Sequence, residues 1–204
     1  MSAISDYANI RSVARCPHIA LLLCLLLISC NSLQNRNKEL LTAARKADTE
    51  GMTLALHAGA DPNSIQYQNE TALGLLISQY KRSHQDKRER IEAAATQLLE
   101  QGADANALHH GFTPLLIATE QGSTVLVSRL LTYGATPNLE TRAGLAPIWQ
   151  AVIDNNHQLG LILLQAGANP NARNMQQQTP LQYLQAQGYQ RSRLMHYLRQ
   201  HGGN

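Results

Sequence analysis

Aromatic and charged side chains are both scarce in this chain of 204 residues. Aromatics make up 4% of it, with one Trp and one Phe, and charged residues make up 15%, against roughly 25% in an average soluble protein. A globular core normally draws much of its buried area from aromatic rings. A core built from Leu and Ala instead favours short helices that pack closely together.

The charge balance is only mildly basic, with a formal net charge of +3. Nucleic-acid binding calls for Lys and Arg clustered on one face of a protein. The sequence therefore predicts no nucleic-acid partner.

Cysteine is absent after residue 30, because Cys16, Cys24 and Cys30 are the three cysteines of the chain. This distribution excludes a disulfide framework, a CxxC metal site and a thiol nucleophile from the body of the protein. A body without cysteine also cannot form incorrect disulfides in an oxidising compartment.

The first thirty residues have the pattern of a secretory signal. Arg11 and Arg15 precede an unbroken apolar run over residues 19–28, and Ser29 and Cys30 follow it. A positive segment, a short apolar run and a small residue before the cleavage site are typical of such signals. Ten helical residues cover only about 15 Å, half of the roughly 30 Å of a bilayer core, so a spanning helix is disfavoured.

The sequence Leu-Ile-Ser-Cys at 27–30 resembles the lipobox of bacterial lipoproteins. The resemblance implies cleavage before Cys30 and acylation of Cys30, with 1–29 as the signal peptide and 30–37 as the acylated cysteine and a polar tether. Because Asn31 rather than Asp follows the cysteine, it also implies a periplasm-facing protein of the outer rather than the inner membrane. An ordinary secretion signal and an uncleaved anchor are the alternatives.

Two short motifs recur through the rest of the chain. A pentapeptide of the form Gly-Ala-Asp-Pro-Asn occurs four times, at 59–63, 102–106, 134–138 and 167–171. A Thr-Pro-Leu motif or a close variant begins at Thr71, Thr113, Ala146 and Thr179. The last two spacings of this second motif are both 33 residues. Two motifs that keep one period indicate a repeat protein.

A single unit, residues 107–138, shows how the repeat is built. Thr113 can cap a helix and Pro114 suits its first turn, where no N–H is needed. Gly122 ends this helix, apolar residues at helical spacing form a second one, and Gly134 follows as a residue that tolerates left-handed dihedrals. Such a unit cannot bury its own apolar face, so neighbouring units must stack.

These motifs and their period resemble the ankyrin repeat. The resemblance implies an all-α solenoid of helix-turn-helix units with connecting β-hairpin loops over residues 38–204. The predicted units are 38–63, 64–106, 107–138, 139–171 and 172–204, of which the first and last are caps. The His that usually follows Thr-Pro-Leu in the family is replaced at four positions, Gly74, Leu116, Trp149 and Gln182.

The second unit is ten residues longer than the period allows, and the extra length falls around residues 81–90. This insertion contains no Gly or Pro and consists of good helix formers. We expect both helices of the unit to extend and to form a charged spur. The spur is either a solvated helical tip or a contact for a partner.

The resemblance to ankyrin repeats also implies where a partner would bind, because the hairpin tips and the inner helix face are the usual binding surface of the family. Mapped onto this sequence, those positions are Ile65, Tyr67, Gln68, Glu70, Leu108, His110, Phe112, Glu120, Gln121, Glu140, Arg142, Leu145, Ile153, Asp154, Arg173, Met175, Gln176 and Gln178.

No familiar catalytic motif is present: the sequence has no GxSxG, HExxH, P-loop or GxGxxG pattern. His109 and His110 are the one tight histidine pair, and adjacent residues on an extended loop are expected to point apart, which disfavours a shared metal ion. We therefore predict no cofactor, no metal site and no enzymatic activity.

The function that these observations favour is binding of another protein by a lipid-anchored envelope protein that is a monomer before its partner binds. Two forms are open: an inhibitor or immunity protein of an envelope-acting enzyme, and an accessory scaffold for a resident periplasmic enzyme. A secreted effector and an enzyme with an unrecognised site are the alternatives from other classes.

Overall fold

The computed structural model describes residues 17–65, 69–139, 146–189 and 191–204, with side chains from residue 32 onward. This part of the chain contains ten α-helices and one short 3-10 helix, Tyr80–Arg82. The α-helices are α1 (Pro17–Lys46), α2 (Thr49–His57), α3 (Ala72–Ile77), α4 (Gln85–Glu100), α5 (Pro114–Glu120), α6 (Thr124–Thr132), α7 (Pro147–Ile153), α8 (His157–Gln165), α9 (Pro180–Ala186) and α10 (Arg193–Gln200).

The helices form two layers. Each odd-numbered helix packs against the next odd-numbered helix, and the even-numbered helices do the same. We call these the first-helix layer and the second-helix layer. One continuous core of Leu, Ile and Ala lies between them, and its fully buried members include Leu115, Leu126 and Ile148. The predicted all-α stack of helix pairs is confirmed.

Threonine side chains start the short helices of the first layer. Thr71, Thr113 and Thr179 each have extended backbone angles and accept a hydrogen bond from the N–H three residues later. This satisfies one of the free N–H groups at a helix start. Pro114 and Pro180 then occupy the first turn, where the missing N–H costs nothing. The Thr-Pro-Leu motif therefore fixes where each short helix begins.

A ladder of asparagine side chains joins consecutive units. Asn106 is typical: its Nδ2 donates to the carbonyl oxygen of Gly134 (2.9 Å), and its Oδ1 accepts from the N–H of Thr136 (2.8 Å). The same pair of bonds is made by the last residue of each of the other pentapeptides, Asn63, Asn138 and Asn171. Each amide thus bridges two backbone groups of the next unit and sets the spacing between units.

Residues 30–37, for which we expect an acylated cysteine and a polar tether, lie within a helix in the structure. Helix α1 runs without a break from Pro17 to Lys46. The Arg36 guanidinium donates to the Ala58 carbonyl, and Asn37 Oδ1 accepts from the N–H of Asp61 (2.8 Å). Because Asn37 makes the first contact of the asparagine ladder, the packed stack begins before residue 38. None of the helices in the described ranges has an apolar stretch long enough to cross a membrane.

The insertion extends only the second helix of its unit. Helix α3 ends at Ile77, as in a unit of ordinary length, while α4 reaches sixteen residues. Ser83 and His84 have extended dihedrals that turn the chain between them. Arg88 then folds back, donating to the carbonyls of Tyr80 and Lys81 at 3.3 and 3.2 Å. The prediction of two extended helices is therefore wrong, because these contacts hold the inserted chain against its own unit.

We expect Asn106→Ala to lower the free energy of unfolding by about 1–2 kcal/mol, since it removes two hydrogen bonds to a partly solvated backbone. Urea unfolding followed by circular dichroism measures the change. Gln101→Ala is the matched control, because Gln101 is exposed and takes part in the C-cap of α4 through its backbone N–H alone, which Ala retains. Equal stability of the two variants would contradict the structural role of the ladder.

Candidate functional site: a groove beside the third hairpin

A tight hairpin at residues 109–112, which we call the third hairpin because it belongs to the third unit, lies between the second and third helix pairs. His109 and Phe112 exchange two backbone hydrogen bonds, at 2.9 and 3.0 Å. The turn residues His110 and Gly111 both have positive φ, +52° and +87°. Positive φ at both central residues is the type I′ pattern, which holds a two-residue hairpin rigidly. The two residues form an isolated antiparallel β-bridge.

The hairpin borders a groove of about 370 Å³ on the first-helix layer. Helices α3 and α5 supply its walls, and Leu75, Ile117 and the ring of Phe112 are its apolar surface. Ser78, His109, His110, Glu120 and Gln121 complete the lining. Phe112 remains 42% exposed although a large apolar side chain gains by burial. We refer to this feature as the groove.

A small charge network lies along one rim of the groove. Glu70 forms an ion pair with Arg45 of α1, and its other carboxylate oxygen lies 3.9 Å from His110 Nε2. These contacts connect α1, the residue before the capping Thr71 and the hairpin that carries His110. They therefore fix the rim on which His110 is presented.

His109 packs beneath the hairpin and is buried. Its Nδ1 accepts from the N–H of Thr71 (3.2 Å), and its ring lies where any Cβ at position 74 would overlap it. Gly74 is one of the positions at which the family's histidine is missing. The ring of His109 occupies that space from the next hairpin.

The pKa of His109 is lowered to about 4, first by burial and then by the nearby His110, while Glu70 acts in the opposite direction. The neutral ring is thus the form that the folded protein holds. Burial also raises the pKa of Glu120, and Lys81 partly offsets this.

Five of the predicted partner-binding residues meet at this groove and its rim, namely Glu70, His110, Phe112, Glu120 and Gln121. Gln121 already has an internal role, because its Oε1 accepts from the N–H of Lys81 (2.8 Å) in the insertion.

The remaining described candidates do not join this group. Four of them are exposed large apolar residues that do not line the groove, namely Ile65, Leu108, Ile153 and Met175. Asp154 accepts from Gln150 on its own helix (2.9 Å).

The fifth unit uses several predicted contact residues for its own hairpin. Arg173 Nη1 donates to the Gln177 carbonyl (2.6 Å), and Gln178 Oε1 accepts from Asn174 Nδ2 (3.2 Å). The N–H of Gln176 donates to Asn174 Oδ1 (3.0 Å). These bonds stabilise a turn in which Gln177 has a φ of +61°. Tyr67, Gln68, Glu140, Arg142 and Leu145 lie outside the described residues.

Leu75 and Ile117 line the groove but were not among the predicted contacts. Each stands four residues after the capping threonine of its unit, Thr71 or Thr113. Both residues could therefore have been predicted from the repeat register, because equivalent positions of stacked units line one surface.

The two adjacent histidines do not point apart as expected. Their ring centroids are 4.3 Å apart in an edge-on arrangement, because the tight turn brings His110 beside His109. Within the described ranges, no three His, Cys, Asp or Glu side chains are grouped so as to hold a metal ion.

The lowered pKa of His109 predicts a pH-dependent stability. An unfolded histidine takes up a proton below about pH 6.5, whereas the folded ring stays neutral down to about pH 4. The free energy of unfolding should therefore fall as the pH drops from about 6.5 to about 4, by about 1–3 kcal/mol. Urea unfolding at pH 7 and pH 4.5 measures this difference.

His109→Asn is the matched variant, since its side-chain oxygen can accept from Thr71 without titrating in this range. It should have a smaller loss of stability between the two pH values. The same loss in both proteins would show that His109 titrates as a solvated residue.

Comparison with known proteins accounts for this architecture. A family model described as ankyrin repeats, in three copies, matches residues 87–174. The zebrafish (Danio rerio) neurogenic locus notch homolog protein 1 is 28% identical over 77% of this chain and 8% of its own length. Human ankyrin repeat and SOCS box protein 16 is 36% identical over 46% of the chain and 21% of its own length.

The mouse (Mus musculus) ankyrin repeat and SOCS box protein 16 is 35% identical over 63% of this chain and 30% of its own length. The chain thus spans less than a third of the length of each of these relatives. The matched residues run from the first turn of α4 past the end of α8, and they contain Asn106, Asn138 and Asn171 of the asparagine ladder. Residues 87–174 thus carry ankyrin repeats, and the described helices form an all-α repeat solenoid.

Proposed function

We propose that this protein binds a protein partner in the groove between α3, α5 and the third hairpin. The observation that carries the proposal is the exposure of Phe112. A rigid two-residue turn holds this residue beside Leu75 and Ile117, and it remains 42% exposed. Ankyrin repeats in general mediate interactions between proteins, which supports this class of function.

The energetics of the groove favour a peptide or protein side chain as its occupant. A single exposed apolar residue is ordinary, but here three apolar side chains line one concavity with a charged rim. An aromatic residue in a pocket with a polar rim is the arrangement of an interface hot spot. Because the turn and the Glu70 contacts already hold the surface, little ordering entropy remains to oppose binding.

Binding is also a better account than catalysis of the titratable groups in the groove. His109 is neutral and its Nδ1 already accepts a hydrogen bond from Thr71. Glu70 is paired with Arg45. His109 and Glu70 would be the first candidates for acid–base catalysis, but their contacts already hold the hairpin in place.

The sequence of the first thirty residues supports a location of this binding surface in a bacterial cell envelope. An apolar run that ends in Leu-Ile-Ser-Cys at 27–30 favours a lipid on Cys30 and a periplasm-facing protein of a bacterial envelope. In that setting the proposed role is inhibition of an envelope-acting enzyme, as an immunity protein would provide. A scaffold for a resident periplasmic enzyme would use the same groove.

A photo-crosslinking residue at position 112 of the full chain should form a covalent adduct with the partner in the producing cell. Placed at Val125, the same residue should form none, because Val125 is similarly exposed (45%) but lies on the second-helix layer. Mass spectrometry of the adducts identifies the partner. Equal adducts from both positions, or adducts from Val125 alone, would contradict the proposal.

The same experiment separates the two proposed roles. A resident partner gives an adduct in the producing cell grown alone. An inhibitor of a foreign enzyme gives an adduct only when that enzyme is supplied, for instance in a mixed culture.

Lipid attachment predicts that an alkyne analogue of palmitate labels the native chain and the Cys24→Ser variant but not Cys30→Ser. The label is followed by in-gel fluorescence, and the mass of the mature protein should correspond to residues 30–204 plus acyl chains. Labelling of Cys30→Ser, or a native protein that stays unlabelled and unprocessed, would exclude the lipid anchor.

A further inference from the structure

The insertion that distinguishes the second unit borders a second, more polar surface pocket. It has a volume of about 610 Å³ and lies between the 3-10 helix, the start of α4 and the ends of α3 and α5. Lys81, Arg82 and Lys87 surround it, together with the polar side chains of Ser78, Gln79, Ser83 and Gln121. We refer to it as the basic pocket.

The positive charge of the basic pocket is largely uncompensated. Within the described ranges, no carboxylate lies within salt-bridge distance of Lys81, Arg82 or Lys87. Lys87 Nζ meets only the amide oxygen of Gln79, at 3.5 Å. Glu120 interacts with Lys81 electrostatically without forming a pair. Three cations around one cavity repel one another, so an anion bound there would be stabilised.

The wall of the pocket is fixed rather than loose. Tyr80 donates from its hydroxyl to Glu92 (2.6 Å), and the Arg88 guanidinium lies over its ring at 5.3 Å. Ser83 Oγ donates to the Gln79 carbonyl (2.8 Å). Together with the bonds from Arg88 and Gln121, these contacts hold the backbone of residues 79–83 from both sides. The pocket is therefore formed before any ligand arrives, which lowers the entropic cost of binding.

The basic pocket and the groove are continuous, because Ser78 and Gln121 line both. An apolar surface with Phe112 at one end thus meets three cations at the other. We propose that the partner enters as an acidic peptide segment, with an apolar side chain on Phe112 and one or more carboxylates in the basic pocket. This inference rests on the proposed function and specifies the chemistry of its partner.

The apolar groove next to the basic pocket favours a peptide over a nucleic acid as the ligand. Nucleic acid is bound by basic residues that track a phosphate backbone over several nucleotides. Here the positive charge is confined to one pocket, and the adjoining surface is lined by Leu75, Ile117 and Phe112. A segment that alternates apolar and acidic side chains matches both parts.

The test uses the full chain and a fluorescein-labelled probe peptide, Phe-Glu-Asp-Glu with blocked ends, at low salt. Its control probe is the uncharged Phe-Gln-Asn-Gln. Fluorescence anisotropy should show binding of the acidic probe that is about tenfold tighter than that of the amide probe. Lys81→Gln/Lys87→Gln should remove this preference.

Arg90→Gln/Arg129→Gln is the matched control, because it removes the same net charge from two exposed residues that do not line the pocket. It should keep the preference within about twofold, as screened distant charges contribute little. Circular dichroism confirms that both variants are folded.

The inference is overturned if the native chain does not distinguish the two probes, or if both double variants lose the preference equally. It is also overturned if a ten-residue oligothymidylate binds through Lys81 and Lys87 more tightly than the acidic probe, since the pocket would then serve nucleic acid. If the probes fail while crosslinking from position 112 succeeds, the groove remains a binding site and only the acidic character of the partner is wrong. Failure of both refutes the proposed function itself.

Discussion

The bidentate amide of the asparagine ladder is the interaction on which the rest of the structure depends. Each of Asn63, Asn106, Asn138 and Asn171 bridges a glycine carbonyl and an N–H of the following unit. A side chain that makes both bonds tolerates neither a change of spacing nor a slip of register. The glycine it contacts has a φ near +86°, which other residues adopt only at a cost. The pentapeptide recurs because each unit needs both this glycine and this asparagine at a fixed spacing.

The position of the groove follows from that register. When the units are held at a fixed spacing, the third hairpin comes to lie over α3 of the preceding unit, where Gly74 leaves room for the ring of His109. The hairpin is then anchored from below, and Phe112 stays partly exposed at its edge. The exposure of Phe112 is therefore a result of the fold. The hairpin holds the Phe112 side chain at a fixed position beside Leu75 and Ile117.

Local patterns in the sequence predicted the repeat well, because capping threonines, first-turn prolines and left-handed glycines act over a few residues. Gly122 and Gly134, placed after helices by the sequence, have φ of +74° and +86°. Contacts between distant residues were not predictable in this way. The bond from Asp61 to Asn37 spans 24 residues, and the bond from Thr71 to His109 spans 38.

The candidate site shows the same division between local and distant information. His110, Phe112 and Glu120 were predicted from the repeat register, and the structure brings them together. The basic pocket was not predicted, since the insertion was expected to project as a spur. Its folding back depends on Arg88 meeting Tyr80 and on Gln121 meeting Lys81. Neither contact follows from helix propensity, and together they convert a run of charged residues into a pocket continuous with the groove.

The central claim is that a protein partner occupies the groove and not the second-helix layer. Amide hydrogen exchange on the complex purified from the producing cell, compared with the free protein, tests this most directly. The account predicts slower exchange on binding for residues 75–83 and 108–121, with α6 unchanged. Slower exchange confined to α4, α6 and α8, with the third hairpin unaffected, would contradict it.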